Sequence, residues 1–393
     1  MSEPVVIIGS GLAGYTVARE LRKLDKTTPL VVVSRDHAGF YSKPMLSNAL
    51  AGNKTPATLV MKAAEKMAAD LGATVRAGVS VRRIDTAARL VEFEGGETLV
   101  YRDLVLALGA DPIRVPLEGD AADAVLSVND LDDYTRFAEQ LHGKQRVAIL
   151  GAGLIGCEFA NDLLSRGVTP TLVDLADRVL SRLLPPQASG LLQERLAAAG
   201  VQFRLGVGAG RVERVAGGLR VSLSDGSVIE ADVVLSAIGL RPRVALARAA
   251  GLAVQRGVVV DRMLATSQAH VHVDLRAHVY ALGDCAEVQG HLLPYVMPIM
   301  QQARALAATL TGTLTPVVYP AMPVVVKTPA CPTVVCPPPP EAQGHWQVDS
   351  TDDGCEARFV AADNQLLGFA LLGSAMARKQ ALTQLMPALM GLR

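Results

Sequence analysis

A chain of 393 residues, 50% hydrophobic and only 19% charged, has the makings of two or three packed domains and does not read as a disordered protein. Its 38 basic and 38 acidic side chains cancel and no long basic run stands out, which argues against nucleic acid as the main ligand. No apolar run reaches the roughly 18 residues of a membrane span, and the five cysteines are odd in number and mostly scattered, so a reducing, cytoplasmic setting without membrane insertion is expected.

The first stretch is Val5-Val6-Ile7-Ile8, an apolar run read as a buried strand and hence not as a leader peptide, followed at once by Gly9-Ser10-Gly11-Leu12-Ala13-Gly14. Tyr15–Leu24 then has helical apolar spacing. Strand, glycine turn and helix in this order form a dinucleotide fingerprint. Gly9 permits the tight turn, Gly11 lets backbone approach a pyrophosphate, and Gly14 lets the helix close on the strand. The free N–H groups at the helix start, through Leu12 and Ala13, face the phosphates. Leu30–Ser34 is the next strand, and a carboxylate near its end is expected on the adenosine ribose. Asp36 is the candidate, with Ser34 and Arg35 beside it, against the plainer reading of a solvated turn carboxylate.

Tyr41-Ser42-Lys43-Pro44-Met45-Leu46-Ser47 puts a proline at a first-turn position. Lys43 there suits the N5/O4 edge of a reduced flavin, whose negative charge it would stabilise; a surface lysine is the bland alternative. No cysteine precedes Cys157, so a flavin at this site has no thiol relay and passes its electrons on directly. Val75–Ile84 and Arg89–Tyr101 alternate like strands of a small antiparallel layer, with amides near Val81 available to an adenine. Leu104–Leu108, including Ala107, ends at Gly109 and Pro112 and closes the first lobe, with a boundary near Pro112–Gly119.

The second lobe repeats the first. Asp130–Leu141 reads as a helix and Val147–Leu150 as a strand, and Gly151-Ala152-Gly153-Leu154-Ile155-Gly156 opens a helix over Leu154–Arg166. Asp174 ends the strand Thr171–Val173 about 20 residues past these glycines, the place for a carboxylate on the ribose 2′-hydroxyl of NADH. It would repel the extra phosphate of NADPH, although Arg178 leaves some tolerance. Glu158 stands where a nicotinamide would meet the flavin, and in the helix's first turn it also suits the helix dipole. Val201–Val207, Arg211–Val215 and Leu219–Leu223 read as strands, and Ala231–Ser236 leads through Gly239 to Arg241-Pro242 and back to the first lobe.

After Val258–Asp261, the run Val279-Tyr280-Ala281-Leu282-Gly283-Asp284 is a second FAD signature. Asp284 is placed to accept a hydrogen bond from the ribityl 3′-hydroxyl, and a helix beginning near Met297 brings the backbone of Val296 towards the flavin pyrimidine ring. The remainder is a third unit, with strands Met322–Lys327 and Trp346–Val348, a rigid Pro337–Pro340 run and a helix over Ala375–Leu392. Its apolar tail is read as packing on its own domain rather than on a membrane. Cys331 and Cys336 have the spacing of a redox pair but lie in a proline-rich loop, and are read as structural. The fold class is α/β: two Rossmann-like dinucleotide-binding domains, FAD on 1–112 and 241–316 and NADH on 113–240, with a C-terminal α+β domain over 317–393. No metal ligands are assigned.

Together the glycine turns, Tyr41–Ser47, Gly151–Asp162, Gly283-Asp284-Cys285-Ala286-Glu287, Tyr295-Val296-Met297-Pro298 and Val326-Lys327-Thr328-Pro329-Ala330-Cys331-Pro332 resemble the bacterial rubredoxin–NAD(+) reductases over the full length. The glycine motifs alone reach only the wider class of FAD-dependent pyridine nucleotide reductases. The resemblance implies NADH as donor, rubredoxin as acceptor and a monomer. It matches Lys43, Val81, Glu158, Asp284, Val296 and Lys327 to flavin-site positions; Cys336 falls outside its pattern. Hydride would pass from NADH to flavin N5, with Lys43 and Lys327 (near O2) stabilising charge and no nucleophile or general base required. Docking of an acidic rubredoxin would be transient and salt-sensitive. A ferredoxin or flavorubredoxin acceptor, or an NADH-sensing flavoprotein that changes partners, are the alternatives. The pathway, alkane hydroxylation or oxygen-stress electron supply, is not written in the chain.

Overall fold

The computed structural model describes residues 2–267 and 278–391. Two five-stranded parallel sheets dominate it. In the first the spatial order is Val279–Ala281, Asp103–Leu106, Val5–Ile8, Leu30–Val33, Thr74–Arg76. Val5–Ile8 lies in the middle, paired on one side with Leu30–Val33 and on the other with Asp103–Leu106. A strand covered on both faces has no solvent side to mark with polar residues, hence its unbroken apolar run. The helices Leu12–Leu24 and Val296–Leu310 pack against each other over this sheet.

The second sheet runs Gln202–Leu205, Thr169–Asp174, Arg146–Leu150, Val233–Ser236, Leu126–Ser127. Its outer strand, Leu126–Ser127, is two residues long, too short to leave an alternation in the sequence. Chain enters and leaves this lobe through one ribbon: Ala110–Pro112 pairs antiparallel with Leu240–Pro242. Each parallel sheet carries a three-stranded antiparallel meander, Val81–Asp85/Leu90–Phe93/Thr98–Val100 and Ala209–Val215/Gly218–Leu223/Val228–Ala231. The third unit is an antiparallel sheet ordered Val324–Val326, Thr333–Cys336, Leu366–Gly373, Gly354–Val360, His345–Thr351.

Four expectations need correction. Cys336 does not lie in a loop: it closes the buried strand Thr333–Cys336, opposite Phe369. Val75–Ile84 is not one strand: Thr74–Arg76 joins the parallel sheet beside Leu30–Val33, the chain turns at Gly78 (φ 69°), and Val81–Asp85 starts the meander. Arg89–Tyr101 is a hairpin, broken where Gly95 and Gly96 take φ of 100° and 87°. The tail is not helical throughout. A 3-10 turn over Ser374–Arg378 and a helix over Lys379–Leu385 stop at Met386, which is extended because Pro387 follows it. Beyond, Met390 exchanges two backbone hydrogen bonds with Tyr319 (2.9 and 3.1 Å); Leu392 lies outside the described residues.

The lobes are not independent in their packing. One buried cluster joins Leu46, Leu50 and Leu59 from the first lobe, Phe137, Phe159 and Leu163 from the second, and Val335, Cys355 and Leu372 from the third. Among the described residues no helix is long and apolar enough to cross a membrane.

Candidate functional site

A continuous cleft of ≈ 2240 Å³ runs between the lobes, and both glycine turns open onto it. The two turns are built alike. At Gly9 (φ 117°) a Cβ would lie 2.1 Å from the Ala107 carbonyl oxygen; at Gly14 it would lie 1.8 Å from that of Gly9. In the second turn the same constraint recurs, 2.6 Å from Ala237 O at Gly151 (φ 110°) and 1.9 Å from Gly151 O at Gly156. Only hydrogen fits at these four positions, because the obstacle is backbone. Gly11 and Gly153 are different: a Cβ there would meet nothing within 4 Å, so each leaves open room over the N-terminus of its helix, as an incoming pyrophosphate needs. The chain therefore fits two dinucleotides, and FAD and NADH are the cofactors that match it.

Most of the residues singled out in the sequence line this cleft: Gly9, Gly11, Leu12, Ala13, Ser34, Arg35, Asp36, Lys43, Pro44, Val81, Ala107, Gly109, Gly151, Gly153, Leu154, Ile155, Glu158, Asp174, Gly239, Asp284, Val296 and Lys327. Gly14, Gly156 and Gly283 stand behind its wall. The first two set helix against strand; Gly283 (φ 76°) packs so that a Cβ would fall 2.7 Å from the Ala13 Cβ. Its N–H donates to Gln302 Oε1 at 2.7 Å, and Gln302 Nε2 in turn donates to the Tyr319 hydroxyl at 2.7 Å. Val296 does open its helix, with Tyr295 as the cap position.

Both carboxylates expected on a ribose, Asp36 and Asp174, brace their own turns. Asp36 Oδ1 accepts from Ser34 Oγ (2.6 Å) and from the Ala38 N–H (2.9 Å), and the Ser34 hydroxyl is 2.7 Å from that of Ser10 in the first glycine turn. Asp174 accepts from the Ala152 N–H (2.6 Å) in the second glycine turn and from the Ala176 N–H (2.8 Å). The turn role of Asp36 and its place on the cleft thus coexist.

Lys43 opens the short 3-10 helix Lys43–Asn48, with Pro44 in its first turn. Its ammonium donates to Asn129 Oδ1 at 2.7 Å and lies 3.6 Å from Asp284 Oδ2. Asn129, 6% exposed, is held by its own Nδ2 donating to Ala110 O (2.9 Å) and its N–H donating to Asp133 Oδ2 (3.0 Å). Sequence reasoning missed Asn129: it stands in no motif, and only the fold brings it across from the second lobe.

Glu158 borders the cleft from behind its bonded partners and is itself fully buried. It accepts from the Ser47 hydroxyl (2.6 Å), from the Lys327 N–H (3.0 Å) and from the Lys327 ammonium, so a second-lobe helix is tied to the first and third units at one carboxylate. The same helix, Leu154–Leu164, adds two further ties. Asn161 Oδ1 accepts the Ala330 N–H at 3.0 Å, and Asp162 accepts the N–H groups of Leu50 (3.0 Å) and Ala51 (2.8 Å). Burial pushes the Asp162 carboxyl upward and the two amides pull against it. The sequence did carry a signal: Asn161 and Asp162, with Glu158 one turn before, interrupt an otherwise apolar helix. All five cysteines are free and buried, and burial pushes the thiols of Cys285 and Cys336 up to about 11.

The profile of the family described as pyridine nucleotide-disulphide oxidoreductase matches residues 3–308. The chain belongs to this family. A second profile, described as rubredoxin binding C-terminal domain, matches residues 316–386. Among relatives, the protein named rubredoxin-NAD(+) reductase of Alcanivorax borkumensis is 50% identical over 388 residues, 98% of this chain and 99% of the relative. The nitric oxide reductase FlRd-NAD(+) reductase of Aeromonas salmonicida is 39% identical over 388 residues, 98% of this chain and 97% of the relative. Among solved structures, a ferredoxin reductase from Rhodopseudomonas palustris superposes with a TM-score of 0.87 at 27% identity, covering 98% of this chain and 96% of that one. This pyridine nucleotide-disulphide oxidoreductase has no cysteine in its first 156 residues.

Proposed function

We infer that the chain is an FAD-dependent reductase that takes hydride from NADH and passes single electrons to rubredoxin. The observation that carries this reading is the union of a cleft bearing two glycine turns with a C-terminal sheet domain that matches the rubredoxin-binding profile. The 50% identity to a rubredoxin-NAD(+) reductase across nearly all of both chains supports it.

Bound FAD would supply the chemistry that joins a two-electron donor to a one-electron acceptor. The chain's own residues bind, orient and stabilise. The first glycine turn, with Ser34, Arg35 and Asp36, would hold the adenosine and pyrophosphate of FAD, with Val81 near the adenine, Ala107 and Gly109 along the wall, Asp284 on the ribityl chain and Val296 at the pyrimidine end. Gly151–Gly156, Asp174 and Gly239 would hold NADH. Lys43 is the charge proposed for the flavin's N5/O4 edge, and Asn129 with Asp284 fixes its position. Glu158 and Lys327 lie together at the cleft wall, where Glu158 ties the helix of the second glycine turn to Ser47 of the flavin side and to Lys327 of the third unit, with Lys327 proposed near flavin O2. Each of these is a positioning or electrostatic task, and none requires a nucleophile or general base.

The domain assignment that goes with this reading is FAD on 1–112 and 241–316, NADH on 113–240, and partner binding on 317–393. We further propose a cytoplasmic monomer that meets rubredoxin in short-lived, salt-sensitive encounters and so supplies electrons to alkane hydroxylation or to an oxygen-stress response. A flavorubredoxin acceptor is the second reading, favoured by the relatives at 36–39% identity, which are less similar than the rubredoxin reductases. An acceptor panel decides between them: kcat/KM for rubredoxin is expected to exceed that for flavorubredoxin and ferredoxin domains, and the reverse order would sink the assignment. Slow turnover with every acceptor would favour an NADH sensor.

A further inference from the structure

Asp162 has no part in the chemistry described so far, yet it is a carboxylate with only 2% of its surface exposed. It stands one helical turn beyond Glu158, on the same face of Leu154–Leu164. A buried carboxylate carries a desolvation cost, and a hydrophobic side chain of similar size would fill such a seam more cheaply. What the carboxylate provides is a directional hold on backbone. Its two oxygens take the N–H groups of Leu50 and Ala51 separately, at 3.0 and 2.8 Å. Those amides belong to the chain leaving the short helix Lys43–Asn48, and Ser47 in that helix donates to Glu158 at 2.6 Å. The segment bearing Lys43 is therefore held at two points, one turn apart, by the helix that springs from the second glycine turn. Lys43, Leu46 and Ser47 line one wall of the cleft, and Gly151, Gly153 and Glu158 line the other.

We propose that Asp162 is a positioning residue for hydride transfer: it docks the Lys43 segment onto the helix of the second glycine turn and so fixes the register of the two cleft walls. The proposal rests on the reading of those walls as FAD and NADH sites. An asparagine at 162 keeps the shape but turns an NH₂ towards one of the two N–H donors, so one bond is lost and a donor faces a donor. Leucine removes both.

The test uses the FAD-loaded protein and its Asp162→Asn and Asp162→Leu variants. Three readouts are taken: single-turnover flavin reduction by NADH, oxidation of the dithionite-reduced protein by ferricyanide, and amide hydrogen exchange of residues 49–54. Flavin reduction is expected to slow about tenfold or more, since small misplacements of reacting groups have effects of that size. Exchange at Leu50 and Ala51 is expected to quicken about tenfold while the central strand Val5–Ile8 stays protected. Flavin content and ferricyanide oxidation are expected to match the unmodified protein. Reduction within twofold of the unmodified rate, or unchanged exchange at Leu50 and Ala51, would overturn the proposal. So would lost flavin, or equal slowing of both half-reactions, either of which marks a purely structural role. Failure of NADH to reduce the unmodified protein would instead overturn the reading of the cleft, and this proposal with it.

Discussion

Replacing Lys327 by methionine tests the junction of the three units. The substitution keeps the length and apolar stem of the side chain and removes only the ammonium. Glu158, fully buried, would keep the Lys327 N–H at 3.0 Å and the Ser47 hydroxyl at 2.6 Å but lose its counter-charge. Breaking a buried pair by deleting one partner costs roughly 3–5 kcal/mol. Because the Lys327 side chain is 27% exposed, water reaches the site and the lower end, about 3 kcal/mol, is expected. Adding Glu158→Gln removes the stranded charge but turns an NH₂ towards either Ser47 or the Lys327 N–H, so the double variant is expected to recover about 2 kcal/mol of that loss and to stay within about 1 kcal/mol of the parent. Urea denaturation of the four proteins of this cycle, at saturating FAD and followed by both circular dichroism and flavin release, measures it. A loss below about 1 kcal/mol for Lys327→Met, or no recovery in the double variant, would refute the claim that this pair binds the units together.

Further outcomes follow from the same geometry. Gly156→Ala places a Cβ 1.9 Å from a carbonyl oxygen and is expected to destabilise the protein by about 3 kcal/mol. Gly153→Ala meets nothing within 4 Å and is expected to fold normally but to weaken NADH binding about tenfold by titration, because its methyl group takes the pyrophosphate's room. Asn129→Ala leaves Lys43 with Asp284 as its remaining partner at 3.6 Å; flavin reduction by NADH should slow with no loss of FAD, as stopped-flow absorbance and flavin content would show. Asp232 is held down to about 2, first by its bond to Arg146 (2.8 Å) and then by the Gln145 and Arg146 N–H groups. A carboxyl depressed in the folded state adds stability that is full above about pH 4 and is lost as pH falls towards 2. With Arg146 45% exposed, screening reduces this to the order of 1 kcal/mol. Asp232→Asn should flatten that part of the acid-denaturation profile, and an unchanged profile would remove the pair from the account.

What the sequence made legible was whatever is local. Glycine turns, the strands before them and the helices after them announce themselves because only hydrogen fits at Gly9, Gly14, Gly151 and Gly156. Asp36 and Asp174 are legible from the strand ends that follow those turns, Glu158 from its place just past the second, and Lys43 from the Lys-Pro start of a helical stretch; all four border the cleft. The partners of these residues were not legible. Asn129 reaches Lys43 across 86 positions, and Lys327 reaches Glu158 across 169, distances over which no periodicity or spacing carries information. The tail failed for a different reason. Its apolar spacing continues past Pro387, and the pattern outweighed the one residue able to end the helix. Val75–Ile84 and Arg89–Tyr101 failed because alternation persists through a turn, where only the glycines at 78, 95 and 96 mark the break.

The most direct measurement is stopped-flow absorbance of the FAD-loaded protein mixed first with NADH and then with oxidised rubredoxin, repeated across a range of salt. The account predicts bleaching of the flavin by NADH, followed by fast reduction of rubredoxin that slows as salt is raised. Bleaching by NADH with negligible reduction of rubredoxin would contradict the acceptor assignment while leaving the two-dinucleotide cleft intact.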